Sequence, residues 1–116
     1  MIDLKNIEGL YFIGIGGIGM SALALYFRYG GYTVAGYDRT SSSVTAMLSG
    51  NGCEITFTDD TESIPPFFRN PLVREKILIV YTPAIPAENR ILSFFRNGGY
   101  RLYKRSELLG EISSHT

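Results

Sequence analysis

Residues 14–19, Gly14-Ile15-Gly16-Gly17-Ile18-Gly19, put four glycines into six positions directly behind the apolar run Leu10-Tyr11-Phe12-Ile13. Glycine costs backbone entropy to order, so such a cluster implies a tight turn or a group that must approach the main chain closely. Gly14, Gly16 and Gly19 form G-x-G-x-x-G, in which the first glycine makes the turn, the second admits a phosphate and the third lets a helix pack on a strand. A side chain at Gly16 would therefore block the ligand. The flanks agree with this reading. An apolar run without alternation suits a strand buried on both faces, and Met20, Leu23, Ala24 and Phe27 recur at helical spacing until Gly30-Gly31 stops the helix.

The same alternation continues along the chain. Thr33 to Tyr37 reads as a strand. A Ser/Thr-rich cap region at 40–43 then opens a helix through Met47 and Leu48, which Asn51-Gly52 closes. Cys53 to Phe57 reads as a short strand, Ile77 to Tyr81 as a buried one, Glu88 to Asn97 as a helix and Tyr100 to Tyr103 as a strand. Pro65, Pro66 and Pro71 interrupt the segment 64–76, which reads as a short helix plus loop. At 106–112, Leu108, Leu109 and Ile112 are placed on one helical face, ahead of a ragged end at 113–116. Strands alternating with helices imply right-handed crossovers. The expected fold is one α/β domain over residues 1–116: a Rossmann-like, doubly wound sheet, mostly parallel, of about five strands with helices on both faces.

Composition excludes several functions. Lys plus Arg and Asp plus Glu both number 11, and the basic residues are scattered, so no nucleic-acid partner is expected. The opening residues Met1 to Lys5 carry no signal-peptide pattern and no apolar run approaches the roughly 20 residues of a membrane span, so the expected location is cytoplasmic with no membrane partner. With one cysteine, Cys53, and one histidine, His115, neither a disulfide nor a metal site is expected. Cys53 reads as a small apolar residue at a strand start rather than a reactive thiol. No G-x-x-x-x-G-K-[ST] loop and no nucleophile triad occurs, so no catalytic residue is assigned. Phe94-Phe95 and Tyr100 read as core.

The binding residues follow from the fold. Backbone N–H groups at the start of the helix after the glycines, with the positive end of its dipole, suit a diphosphate. Asp38 stands directly after the second strand, where Rossmann-type folds set an acid against a ribose hydroxyl or a base N–H; it also reads as a turn residue. Arg39 beside it is either packed on a base or solvated. Thr82-Pro83-Ala84-Ile85-Pro86 lies past the carboxyl end of a buried strand, on the rim where open sheets bind ligands, and reads equally as a proline-stiffened loop.

The stretch Tyr11 to Ala24, YFIGIGGIGMSALA, resembles the N-terminal signature of the Mur ligases, in particular the UDP-N-acetylmuramate–L-alanine ligase branch. The likeness continues through Gly36-Tyr37-Asp38, through Tyr81 to Pro86 and into Tyr103-Lys104-Arg105-Ser106-Glu107-Leu108-Leu109. It implies an N-terminal domain that holds the UDP part of UDP-N-acetylmuramic acid, within a three-domain ligase whose central ATP-binding and C-terminal domains are absent from this sequence. ATP and Mg²⁺ would serve the full-length enzyme, which joins L-alanine to the muramyl carboxylate through an acyl phosphate; no cofactor is implied for this domain, and the 116-residue chain alone is expected to be inactive. Carried over by position, Gly14, Gly16, Gly17, Ile18, Gly19, Met20 and Ser21 would meet the diphosphate, and Tyr37, Asp38, Arg39, Thr82, Ala84 and Ile85 the uridine. Tyr37 stands where relatives usually have serine, Thr82-Pro83 where they have Ser-Ser, and Thr58-Asp59 where many have a histidine. Two other readings are a ligase that recycles murein tripeptide and the NAD-binding domain of a dehydrogenase.

Overall fold

In the computed structural model, residues 4–113 are described. Met1 to Asp3 and the expected tail at 114–116, His115 included, lie outside the described residues.

Two strands that are apolar along their length take the middle of the sheet. These are β1 (Gly9–Ile13), buried at every position, and β4 (Ile77–Tyr81), buried except at its last residue. They pair with each other. β2 (Thr33–Tyr37) and β3 (Glu54–Thr56) extend the sheet on one side and β5 (Arg101–Lys104) on the other, giving the order β3-β2-β1-β4-β5. The edge strands β3 and β5 carry the polar residues Glu54, Arg101 and Lys104, as strands with one flank in water should. All four pairings are parallel, so the mostly parallel sheet expected from the sequence is wholly parallel.

Side chains alternate across the sheet. Leu10 and Phe12 enter a core built with α1 (Ile18–Tyr29), α2 (Ser43–Gly50) and α5 (Arg105–Ser113), through Met20, Leu23, Ala24, Phe27, Leu48 and Leu108. Tyr11 and Ile13 enter the opposite core, with Phe68 of α3 (Pro66–Arg69) and Ile91, Leu92 and Phe95 of α4 (Arg90–Asn97). Helices therefore cover both faces. In α5, Leu108 is buried and Ile112 packs against the same core, whereas Leu109 is 37 % exposed, so the three do not share one face. The reason is spacing: Leu109 is one residue from Leu108, about 100° around the helix.

Local chemistry sets the helix ends. Ser42 and Thr45 cap α2 reciprocally, the Ser42 hydroxyl accepting from Thr45 N–H at 3.2 Å and the Thr45 hydroxyl from Ser42 N–H at 2.9 Å. Pro66 and Pro71 each start a short helical turn, α3 and a 3₁₀ turn at Pro71–Lys76, where a missing N–H is harmless. Between them the segment keeps one deep anchor, Phe68, whose ring meets Tyr11 edge-on at 5.5 Å.

Candidate functional site at the sheet's carboxyl edge

Register gathers the site. Ile13 of β1 pairs with both Tyr37 of β2 and Tyr81 of β4, so the next residues, Gly14, Asp38 and Thr82, leave the sheet side by side. Here the strand order reverses, since β2 lies on one side of β1 and β4 on the other, and open α/β sheets bind ligands at that crevice. A cleft of about 540 Å³ occupies the place, lined by Gly14, Gly17, Tyr37, Asp38, Arg39, Thr82, Ala84 and Ile85, together with Asp59, Pro86, Glu88 and Asn89.

The glycines differ in what they accommodate. Gly14 has φ +94°, and a Cβ there would overlap the Thr82 methyl, so both conformation and space demand glycine. Gly14 and Ile15 both donate to the Tyr37 carbonyl, at 2.8 and 3.0 Å, which locks the turn to the end of β2. A Cβ at Gly16 would stand 2.7 Å from Asp38 Oδ2 and 3.1 Å from Thr45 Cγ2. The space a Gly16 side chain would need is thus taken by Asp38 and Thr45. The nearest atoms a Gly19 Cβ would meet belong to Arg105 of α5. Gly17 is exposed and is the N-cap of α1, its nearest would-be neighbour being 3.5 Å away. Here the main chain is open to a ligand.

Hydrogen bonds narrow the N–H groups on offer. Gly16 N–H donates to Asp38 Oδ2 at 2.7 Å, Gly17 N–H to the Gly14 carbonyl at 3.2 Å, and Ser21 N–H to the Gly17 carbonyl at 2.7 Å. The Ser21 hydroxyl donates to the Ile18 carbonyl at 3.0 Å. Ser21 is therefore satisfied internally and buried, and Met20 offers no side chain because it belongs to the core. What remains is the first turn of α1. The N–H groups of Ile18, Gly19 and Met20 precede the helical ladder and have no acceptor within it, while the Ile18 side chain is 91 % exposed.

Asp38 holds the second side of the cleft. Its Oδ2 takes the Gly16 N–H and its Oδ1 takes the Thr40 N–H at 3.0 Å, an Asx turn, so it braces the glycine turn as well as facing the cleft. Ser42, not Asp38, caps the helix that follows. Burial pushes the Tyr37 phenol above its ordinary pKa, with the carboxylates of Asp59 and Asp38 adding to the rise and Arg39 opposing it. The Thr82 hydroxyl accepts from Ala84 N–H at 3.1 Å and the Thr82 carbonyl from Ile85 N–H at 3.1 Å, which makes the 82–85 rim a closed turn.

Pro86 belongs to the rim read from the sequence, whereas Asp59, Glu88 and Asn89 were not assigned to the site. Asp59 accepts from the N–H groups of Arg90 and Ile91, both at 3.1 Å, and so caps α4 from a loop 31 residues earlier. Nothing local signals that contact. Asn89 was legible as an N-cap before an apolar helix: its Oδ1 accepts from Leu92 N–H at 2.9 Å while the residue is only 6 % exposed.

This sheet order, with a glycine turn at the switch point and a cleft beside it, defines a Rossmann-like α/β domain. The sequence profile of the Mur ligase family, catalytic domain, matches residues 9–116. The UDP-N-acetylmuramate–L-alanine ligases of Cytophaga hutchinsonii and Porphyromonas gingivalis are 48 % and 53 % identical over 97 % and 90 % of this chain. The chain spans 23 % and 22 % of their lengths. A crystal structure of the UDP-N-acetylmuramate-alanine ligase of Thermotoga maritima superposes with a TM-score of 0.79 at 25 % identity, covering 92 % of this chain and 23 % of that one. A murein peptide ligase from Psychrobacter arcticus shares the fold, with a TM-score of 0.73 at 23 % identity, covering 90 % of this chain and 20 % of that one. The chain belongs to the Mur ligase family.

Proposed function

We propose that this chain is the N-terminal domain of an ATP-dependent ligase that joins L-alanine to UDP-N-acetylmuramic acid, and that it binds the UDP moiety. The observation that carries this reading is the first turn of α1, whose free N–H groups at Ile18, Gly19 and Met20 stand next to Gly17 on the rim of a cleft of about 540 Å³. A diphosphate is negatively charged and rich in acceptors, which matches free N–H donors at the positive end of a helix dipole. The nucleoside then extends into the cleft, between Tyr37-Asp38-Arg39 on one wall and Thr82, Ala84 and Ile85 on the other. Asp38 keeps a second lone pair on each oxygen for a ribose hydroxyl or the uracil N–H. The acceptor choice, alanine over a peptide, is supported by the identity of the relatives above.

ATP and Mg²⁺ belong to the full-length reaction in this reading. Among the described residues no three His, Cys, Asp or Glu side chains gather to hold a metal ion. In this reading the domain positions the substrate. Among the described residues no helix is long and apolar enough to cross a membrane.

Isothermal titration of the chain with UDP-N-acetylmuramate and with NAD tests the reading. Saturable binding of the UDP-sugar, with NAD weaker by about tenfold or more, is expected, because a dinucleotide needs a second mononucleotide half across the switch point. Tighter binding of NAD would overturn it.

A further inference from the structure

Two side chains on the walls of the cleft are deeply buried and still leave a hydrogen-bonding group unused. Asn89 is 6 % exposed, and its Oδ1 accepts from Leu92 N–H at 2.9 Å. A backbone N–H can bond only an acceptor, so the amide orientation is fixed and Nδ2, a donor, is the end left over. Among the described residues Nδ2 finds no acceptor. The fully enclosed polar side-chain atoms without a partner are the Tyr11 hydroxyl and Arg101 Nε, so Nδ2 is not sealed in and reaches the cleft that Asn89 lines. Tyr37, on the opposite wall, repeats the pattern: it is 6 % exposed, lines the same cleft, and its hydroxyl has no partner among the described residues. Buried donors are costly unless something accepts from them.

Asp59 lies between the two donors. Its oxygens accept from the N–H groups of Arg90 and Ile91 at 3.1 Å, which sets the carboxylate at the start of α4 beside Asn89. It also neighbours the Tyr37 phenol, whose pKa is raised by burial first and by the charge of Asp59 next, ahead of Asp38. Each Asp59 oxygen keeps a lone pair after its backbone bond. Across the cleft the order is therefore donor, acceptor, donor. The pairing edge of uracil presents the complement: O4 accepts, N3–H donates and O2 accepts. Cytosine reverses the first two positions, with an amino group and a bare N3, and adenine does the same.

We infer that Asn89, Asp59 and Tyr37 read the pairing edge of the base and restrict the cleft to uracil. The inference rests on the proposed UDP site and assigns its base selectivity. Tyr37 directly precedes Asp38, which is left to the ribose, so O2, the carbonyl next to the glycosidic bond, falls to the Tyr37 hydroxyl. N3–H then meets Asp59, and O4 meets Asn89 Nδ2 on the far wall.

Titration calorimetry with UDP and CDP on the chain, Asn89→Asp and Tyr37→Phe tests this. The two nucleotides share sugar and phosphates, so the ratio of their affinities reads the base alone. The unsubstituted chain should prefer UDP by about tenfold or more, because CDP sets donor against donor at Asn89 and acceptor against acceptor at Asp59. Asn89→Asp keeps the cap, since aspartate caps a helix as well as asparagine does, but replaces the donor by an acceptor. Its added charge weakens both nucleotides and cancels in the ratio, so the preference for UDP should shrink about tenfold while the melting temperature holds. Tyr37→Phe removes the partner of O2, which both bases carry, and should weaken UDP and CDP alike by about fivefold. A residue that only caps the helix would leave the preference where it was. Equal affinity for UDP and CDP in the unsubstituted chain, an unchanged preference in folded Asn89→Asp, or unchanged UDP affinity in Tyr37→Phe would overturn the inference and leave the UDP site standing. Failure of the unsubstituted chain to bind UDP would remove both.

Discussion

At the residue scale, Asp38 shows how a position proposed for binding also carries architecture. The sequence places an acid directly after the second strand, and β2 does end at Tyr37 with Asp38 next. Its bonds to Gly16 N–H and Thr40 N–H are illegible in one dimension, because they depend on the Ile13–Tyr37 register that brings the glycine turn beside it. Asp38→Asn should separate the roles. Asparagine has one acceptor oxygen, so its amide group would face one of the two N–H donors, costing about 1–3 kcal/mol of stability. Urea unfolding measures this; a loss under about 0.5 kcal/mol would show that the brace is unimportant. Tyr11 carries the opposite prediction. Its hydroxyl is fully buried and finds no hydrogen-bond partner, so Tyr11→Phe should stabilise the chain by about 1 kcal/mol. Burial, with the charge of Asp59 next and Tyr37 after it, raises the phenol's pKa above its ordinary 10.0. A raised pKa means the folded state keeps the Tyr11 proton where the unfolded chain has lost it, so the unsubstituted protein loses stability as pH rises above 10.0. The advantage of Tyr11→Phe should therefore widen above pH 10, read from melts at neutral and alkaline pH.

At the scale of elements, apolar periodicity and turn chemistry locate all five strands and the long helices to within a residue or two. β2 and β4 match their expected ranges, and α1 does too, because Gly30-Gly31 ends it by the absence of helix-favouring side chains. One margin slips: α4 starts at Arg90 rather than Glu88, since Asn89 caps it, a signal present in the sequence, and Asp59 accepts its first N–H groups. That second cap comes from a distant loop, so nothing near Glu88 announces it. Asp59→Ala should then cost about 1–2 kcal/mol, the value of a helix cap with a favourable dipole contact. Hydrogen exchange supplies the local check. Faster exchange at the amides of Arg90 and Ile91, with α1 unaffected, is expected; uniform acceleration across the sheet would show that Asp59 acts on global stability instead.

At the scale of the whole molecule, the sheet's carboxyl edge concentrates the cleft and the open N–H groups, while the two cores behind it hold the strand ends in register. The edge proposed to bind the ligand is therefore made of turns on a rigid base, which suits the positioning of a substrate. Binding and folding must then be coupled, because a ligand that recognises the gathered edge has no affinity for the unfolded chain. UDP-N-acetylmuramate at 100 times its dissociation constant should raise the unfolding free energy by about 2.7 kcal/mol. For a domain of this size that is a rise in melting temperature of roughly 8–15 °C. N-acetylmuramic acid without UDP should give no comparable rise, because the contacts proposed here engage the nucleotide and its phosphates. An equal shift with the free sugar acid would place recognition outside the glycine turn, and a shift with UDP alone close to that of the whole substrate would place nearly all of it there.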